Sequence, residues 1–231
     1  MSREAPRLLA ADKRALLRAA RDAVLRAIVG EDVPPTQRVR LVETSSGATG
    51  ARETGAPSGA DRDREECVTG AAEDLPLGAF VSIYVDDELR GCVGRIVSHE
   101  PLRETVRVCA AAAATQDNRF DPLVPEEALR ARFEISVLSE PASLADPIEI
   151  EVGRHGLIVS QGGRKGLLLP QVASREGWDA KTFLDQTCRK AGLPAGAWRT
   201  GAGVEIFEAC VFGETEPGGE VSPGGSVPET G

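Results

Sequence analysis

The stretch AFVSIYV at residues 79–85 decides the fold, because its β-branched and aromatic residues are typical of a strand and the turn pair Asp86-Asp87 follows it directly. Residues 89–96 then return as the second strand of a hairpin. Pro101 opens a helix with one apolar face, and residues 133–138 supply a further strand. The sequence therefore predicts a unit made of a hairpin, a helix and a strand.

The same order of elements is predicted a second time. Strands at residues 155–160 and 166–169 flank a short turn, and the helix that follows begins at Asp179 as its N-cap and ends before Gly192. Residues 204–212 form the trailing strand. Two such units indicate an internal duplication within an α+β fold. We expect the strands of both halves to share one curved, barrel-like mixed sheet flanked by helices.

Composition divides the chain into four segments. Residues 1–42 contain an amphipathic helix at 5–29, which is expected to pack on the domain. Residues 43–72 lack large apolar side chains and predict a flexible insertion, whereas residues 73–212 form the core. Residues 213–231 are rich in Gly, Pro, Glu and Ser, which predicts a disordered tail.

Charge and cysteine usage exclude several classes of protein. The net charge of -9 argues against a nucleic-acid-binding protein. No segment resembles a secretory signal or a membrane span, so we expect a cytoplasmic protein without a membrane partner. The five cysteines are scattered and the chain has two histidines, so neither a disulfide framework nor a metal site is predicted, and no cofactor is implied.

The segment LRGCVG at residues 89–94 is poorly explained by packing alone. In a regular strand, Arg90 and Cys92 would point to one side and Leu89 and Val93 to the other. A guanidinium beside a thiol favours the nucleophilic thiolate. Glycines at 91 and 94 would leave the backbone near the sulfur uncovered, so Arg90, Gly91 and Gly94 are predicted to bind a small anionic substrate at a reactive Cys92.

A structural interpretation of the same segment stays open. Cysteine is among the residue types most often buried, and glycine in a strand often marks only a bulge. Cys109 and Cys188 illustrate this case, because each lies on the apolar face of its helix.

Three further polar groups are candidates for the same site. His155 could act as a general base, and Glu134, which interrupts the apolar strand at 133–138, could orient it; each could also be purely structural. Asp117 and Arg119 follow a helix in a polar turn and could line a pocket near Cys92. The turn interpretation of these two residues is the simpler one.

Taken together, these motifs resemble the AMMECR1-domain family. The residues that carry the resemblance are Gly78-Ala79-Phe80-Val81, Leu89-Arg90-Gly91-Cys92-Val93-Gly94, Asp117-Asn118-Arg119-Phe120, residues 133–139, His155-Gly156-Leu157, residues 168–173 and Gly177-Trp178-Asp179. They extend over about 150 residues and occur in the same order as in the family. The chain departs from the family pattern by the insertion at 43–72 and by Val93, where isoleucine is usual.

The resemblance implies an α+β fold of two similar halves around one curved sheet and a cleft near Arg90 and Cys92, without an established activity. It also implies Memo-like and radical-SAM proteins as partners.

Two hypotheses follow. In the first, the protein is a cysteine-dependent enzyme or covalent carrier, with Cys92 as nucleophile and Arg90 stabilising the thiolate or binding an anionic substrate, while His155 and Glu134 serve as base and orienter. In the second, the same cleft is a non-catalytic module that binds a metabolite or docks a partner protein.

Overall fold

The computed structural model describes residues 4–30, 72–146 and 149–223. The helices are α1 (Ala10–Val29), α2 (Leu102–Thr115), α3 (Pro125–Arg130), α4 (Pro170–Arg175) and α5 (Ala180–Lys190). The strands are β1 (Ala79–Val85), β2 (Glu88–Arg95), β3 (Ala131–Leu138), β4 (Ala142–Ser143), β5 (His155–Gln161), β6 (Arg164–Leu168), β7 (Gly203–Glu214) and β8 (Val221–Pro223). Apart from Ala72, the predicted insertion lies outside the described residues.

The strand order along the sheet is β2-β1-β3-β7-β5-β6, with β4 and β8 each pairing with β7. The order is symmetric about the junction of β3 and β7, so that β1 corresponds to β5 and β2 to β6. Each half is a hairpin followed by helix and strand, which confirms the predicted α+β duplication. The pairings among the described strands are antiparallel, so the sheet is not the mixed one expected.

One face of the sheet, here called the outer face, packs against the helices. In the first half, Val81, Ile83 and Val93 share a buried cluster with residues of α1 and α2. In the second half, Leu157 is buried with Phe183 and Leu184 of α5. Alternation along each strand thus directs the apolar positions of β1 and β5 toward helices.

The opposite face, here called the inner face, has its own buried cluster. Its members include Phe80 of β1, Cys92 of β2, Leu167 of β6 and Phe207 of β7. Because β2 and β6 are the two ends of the sheet order, a shared cluster requires the sheet to curl toward this face into a half-barrel. Val172 of α4 packs against the same cluster.

Helix α1 is fastened to the sheet by a mostly buried ion pair. Arg21 donates to Glu214 at 2.6 Å and to the backbone oxygen of Ala131 at 3.0 Å. Glu214 also accepts the backbone N–H of Phe133 at 3.2 Å, and its side chain is only 5% exposed. The first half of the sheet and α1 are therefore joined through the end of β7.

The C-terminal boundary differs from the prediction. We expected disorder from Gly213 onward, but β7 continues to Glu214 and β8 pairs with Phe212–Glu214. Strand β8 contains only three residues, which are too few to show a recognisable alternating pattern in the sequence.

Among the described helices, none combines the length and apolar character that a bilayer span requires.

Candidate functional site

Three polar side chains form a row across the inner face of the first half. Ser82 of β1 faces Cys92 of β2 on one side and Glu134 of β3 on the other. Directly opposed residues of antiparallel strands share a face, so all three side chains point toward the concave interior. The hydroxyl of Ser82 donates to the sulfur of Cys92 at 3.3 Å. Cys92 is 9% exposed and belongs to the inner cluster.

Tyr84 lies two residues beyond Ser82 on β1 and therefore points to the same face. Its phenol has a raised pKa, first because it is buried and then because Glu134 and Cys92 lie nearby, while Arg175 of α4 and a hydrogen bond with Ser82 act in the opposite direction. A phenol is protonated at neutral pH even without such a shift, so Tyr84 can serve as a hydrogen-bond donor. We call Ser82, Tyr84, Cys92 and Glu134 the inner polar row.

Arg90 does not belong to this row. The register pairs Ile83 with Gly91 and Tyr84 with Leu89, which leaves Arg90 as the extra residue of a β-bulge. The predicted alternation is therefore wrong: Leu89 packs with the cluster of Cys92 rather than on the opposite side. The guanidinium of Arg90 forms an ion pair with Glu127 of α3.

Gly91 and Gly94 have packing reasons to be glycine. A Cβ on Gly91 would overlap the backbone oxygen of Ala113 in α2, and one on Gly94 would overlap the ring of Phe80. The expectation that these glycines leave the backbone beside the sulfur uncovered is therefore wrong. One lets a helix approach the strand closely, and the other is covered by an aromatic ring.

Asp117 and Arg119 bind the backbone of Cys92. Asp117 accepts the N–H of Cys92 at 2.8 Å, and Arg119 donates to the carbonyl oxygen of Cys92 at 3.4 Å. The two side chains are joined by a bidentate ion pair with distances of 2.9 and 2.6 Å.

The titration of Asp117 couples this arrangement to pH. Burial by itself would raise the pKa of Asp117, but hydrogen bonds from Arg119 and from the N–H of Cys92 outweigh it and hold the pKa below its ordinary value. A depressed pKa means that the carboxylate stabilises the fold above the pKa of the unfolded chain, about 4. This contribution is lost as the pH falls through the pKa of the folded state.

His155 lies on the other side of the sheet. It shares a face with Leu157, two residues along β5, and Leu157 packs against α5 on the outer face. Nδ1 of His155 accepts the N–H of Glu151 at 3.1 Å, and the residue is 5% exposed. The structure thus places Glu134 on the same face as Cys92, on the other side of β1, but places His155 on the opposite face from both.

The two halves provide an internal comparison for the polar row. Ser82 and Ile158 each lie four residues before the first residue of their hairpin turn, and they face Cys92 and Leu167 respectively. At the positions where the second half carries two buried aliphatic side chains, the first half carries a hydroxyl and a thiol. Glu134 corresponds in the same way to Glu205, which faces Ile158.

Glycine behaves differently in this comparison. Gly91 faces Ile83, and its counterpart Gly166 faces Val159. A Cβ on Gly166 would overlap the backbone of Ala191 at the end of α5. The glycine is therefore common to both halves because each packs a helix there. Ser82 and Cys92 are polar in one half alone, so the fold itself does not demand them.

Sequence reasoning missed Ser82 and Tyr84. Both interrupt the apolar run of β1 at alternate positions, which is a signal for a polar stripe on one face.

A metal centre is not formed by these groups, since within the described ranges no three His, Cys, Asp or Glu side chains are grouped closely enough to hold an ion.

Comparisons with known proteins give a consistent result. The AMMECR1 family profile matches residues 17–212. A protein of Methanopyrus kandleri is 47% identical over 154 residues, which covers 62% of this chain and 74% of that protein. A protein of Methanosarcina barkeri is 44% identical over 149 residues, covering 62% and 74%.

A solved structure is also similar. The crystal structure of an uncharacterized protein from Pyrococcus horikoshii superposes with a TM-score of 0.73 at 30% sequence identity. The match covers 93% of this chain and 97% of that one, so the similarity includes both halves of the sheet.

Proposed function

Because this chain belongs to the AMMECR1 family, and because Ser82 and Cys92 of its inner polar row stand where the second half has aliphatic side chains, we propose that it is a ligand-binding module whose site is the inner face around Cys92. The observation that carries the proposal is the contrast between Ser82 and Cys92 on one side and Ile158 and Leu167 on the other. A half-buried hydroxyl and a buried thiol contribute less to packing than the aliphatic pair. Their presence is accounted for by a ligand that they contact.

The surroundings indicate what such a ligand requires. Leu89, Ile96 and Val172 are only partly buried and pack against the cluster that contains the thiol, so they provide apolar surface beside it. Tyr84 provides a hydrogen-bond donor beside Ser82. We therefore propose a small molecule with an apolar body and a neutral polar group, which is the usual combination in ligand pockets.

The anionic ligand expected from the sequence receives less support from the charges. Arg90 is bound to Glu127 and Arg119 to Asp117, so both candidate cations have carboxylate partners. Glu134 adds a negative charge to the polar row itself. An anion at this site would have to compete with these carboxylates, although Arg175 of α4 places one positive charge near Tyr84.

Converting Ser82 and Cys92 to their counterparts in the second half tests the proposal. Ser82→Ile combined with Cys92→Leu adds side-chain volume, so we expect it to retain the fold at a cost of about 1 to 3 kcal/mol in the free energy of unfolding. The binding of small molecules should be lost. A thermal-shift panel of neutral, anionic and cationic metabolites measures both properties.

Cys210→Ser on the outer face is the control, and Ser82→Ala with Cys92→Ala covers the case in which the larger pair does not fit. A compound that stabilises the wild type and the control, but neither double variant, is the expected result. If every stabilising compound acts equally on all four proteins, ligands bind elsewhere and the proposal is wrong. A preference for anions would correct the proposed ligand class only.

A second candidate function is covalent chemistry at Cys92, and the hydrogen bond from Ser82 to the sulfur favours it. A hydroxyl that donates to sulfur stabilises the thiolate, the nucleophilic form. His155 cannot serve as its base from the opposite face, so the polar row itself would have to accept the proton. This candidate makes a distinct prediction about reactivity.

Alkylation of Cys92 by iodoacetamide is then expected to proceed at neutral pH and to slow about tenfold in Ser82→Ala, because the donor is lost. Site-resolved mass spectrometry across pH 6 to 10 measures the rates. Cys210 serves as the reference thiol, since burial raises its pKa. Labelling of Cys210 without labelling of Cys92 would exclude covalent chemistry.

We extend the proposal to the partners implied by the family, Memo-like and radical-SAM proteins. The binding module would present its ligand to them or receive it from them. Joint elution of the purified proteins in size-exclusion chromatography supports this extension, and separate elution in the presence of a ligand found in the panel counts against it.

A further inference from the structure

We infer that Asp117 and Arg119 are positioning residues: together they take the place of a neighbouring strand at Cys92 and fix the backbone that carries its thiol. The inference rests on the proposed function in taking Cys92 as the centre of the site. It assigns to the Asp117–Arg119 pair a role different from ligand binding.

The starting point is the position of β2 at one end of the sheet order. An edge strand leaves every second N–H and C=O group without a partner strand. Cys92 faces Ser82 with their side chains close together, as in a pair whose backbone groups point away from each other. The N–H and C=O of Cys92 are accordingly directed outward, where a seventh strand along this path would lie.

The loop after α2 supplies partners for both groups. The carboxylate of Asp117 accepts the N–H of Cys92 at 2.8 Å, and Nη2 of Arg119 approaches the carbonyl oxygen of Cys92 at 3.4 Å. A carboxylate and a guanidinium thus imitate the C=O and N–H of an absent strand. The pair contacts both backbone groups of the one residue that the site depends on.

Burial and charge make this arrangement rigid. The Asp117 side chain is 3% exposed and that of Arg119 is 23% exposed. The carboxylate also accepts the N–H of Arg119 at 3.3 Å, in addition to the bidentate contact with the guanidinium. A carboxylate that is buried with several donors has little freedom to move, because leaving any of them unpaired costs free energy.

The side-chain geometry of Cys92 follows from its backbone. The sulfur accepts the hydroxyl of Ser82 from across the strand pair, and one residue earlier Gly91 is packed against α2. Arg90 forms a β-bulge, so the pairing of this part of β2 with β1 is irregular. The Asp117–Arg119 pair therefore holds the strand where its own ladder is weakest.

Local opening at Cys92 is the quantity that tests this role. Cys109 and Cys188 are fully buried in helices and report on opening of the remaining fold. In Asp117→Ala, alkylation of Cys92 by iodoacetamide under native conditions is expected to accelerate about tenfold or more, because the N–H of Cys92 loses its acceptor and Arg119, which donates to the carbonyl oxygen of Cys92, loses its ion-pair partner. The rates at Cys109 and Cys188 are expected to stay as in the wild type.

Two variants sharpen the comparison. Asp117→Asn keeps an oxygen that can accept the N–H of Cys92 but loses the ion pair, so its rate should lie between wild type and Asp117→Ala; it also replaces Asp117→Ala if that protein does not fold. Glu127→Gln weakens a different ion pair at β2, that of Arg90, without changing a contact of Cys92. This control should leave the rate at Cys92 unchanged.

Equal acceleration at all three cysteines would show that Asp117 supports only the fold as a whole, and this would overturn the inference. Unchanged rates at all three in Asp117→Ala would overturn it as well. Neither outcome bears on the ligand panel, which compares variants of Ser82 and Cys92. If the thermal-shift panel finds no ligand but Asp117→Ala selectively accelerates the alkylation of Cys92, then Asp117 and Arg119 do fix this backbone and only the proposed ligand site is wrong.

Discussion

Replacing Gly91 with alanine is expected to destabilise the fold by roughly 3 kcal/mol, the upper end of the usual cost of overpacking. The added Cβ would overlap the backbone oxygen of Ala113, and a helix backbone cannot move aside as a flexible side chain can. Either α2 must shift away from β2 or the strand must bend at its bulge. Chemical denaturation, with the free energy of unfolding extrapolated to water, measures the effect.

Gly203→Ala is the matched control, because its new Cβ would lie 3.3 Å from Oγ of Ser160, a side-chain atom that can rotate. We expect it to cost less than about 1 kcal/mol. Gly166→Ala should behave like Gly91→Ala, since both glycines face a helix backbone. Equal small effects at 91 and 203 would contradict the packing explanation for the glycine and restore a role in ligand approach.

Loss of the carboxylate at Glu214 is the second large effect that we expect. Glu214→Ala leaves Arg21 without its ion-pair partner and the N–H of Phe133 without an acceptor. Removing one member of a mostly buried pair is costly because the other charge stays behind; partial exposure of Arg21 moderates the cost to about 2 to 3 kcal/mol. Thermal unfolding at neutral pH measures the decrease.

The exposed pair of Arg107 and Glu104 on α2 supplies the control. Its side chains are 44% and 41% exposed, and Glu104→Ala should change stability by less than about 0.5 kcal/mol. Arg21→Ala should destabilise at least as much as Glu214→Ala, because it leaves the carboxylate of Glu214, which is only 5% exposed, without its cation. If Arg21→Ala is clearly the less damaging change, the hydrogen bond from the N–H of Phe133 to Glu214 outweighs the ion pair in anchoring the helix.

The fold was largely predictable because its signals are local. Alternation along β1 and the turn at Asp86-Asp87 predict the first hairpin, and β1 spans the predicted residues. Asp179 accepts the N–H of Thr182 as the predicted N-cap of α5. The duplication followed from the order of elements, which does not require knowledge of contacts between them.

The site was less predictable because it depends on register and on which face is inside. The bulge at Arg90 appears only when β2 is aligned with β1, and its ion pair reaches Glu127, 37 residues away. His155 lies two residues before Leu157 and therefore shares its face of β5, but nothing in the sequence shows that this face packs on α5. Cys92 and Glu134 do share a face, a relation fixed by the pairing of both strands with β1.

The length of β7 has a consequence for how the molecule comes apart. One end of this strand pairs with β5 and the other with β3, and Glu214 at its tip also anchors α1. Neither half can therefore melt while the other keeps all of its backbone partners. The chain should lose its structure in a single cooperative transition, and a fragment that ends at residue 146 should not fold by itself, because the open side of β3 would face water.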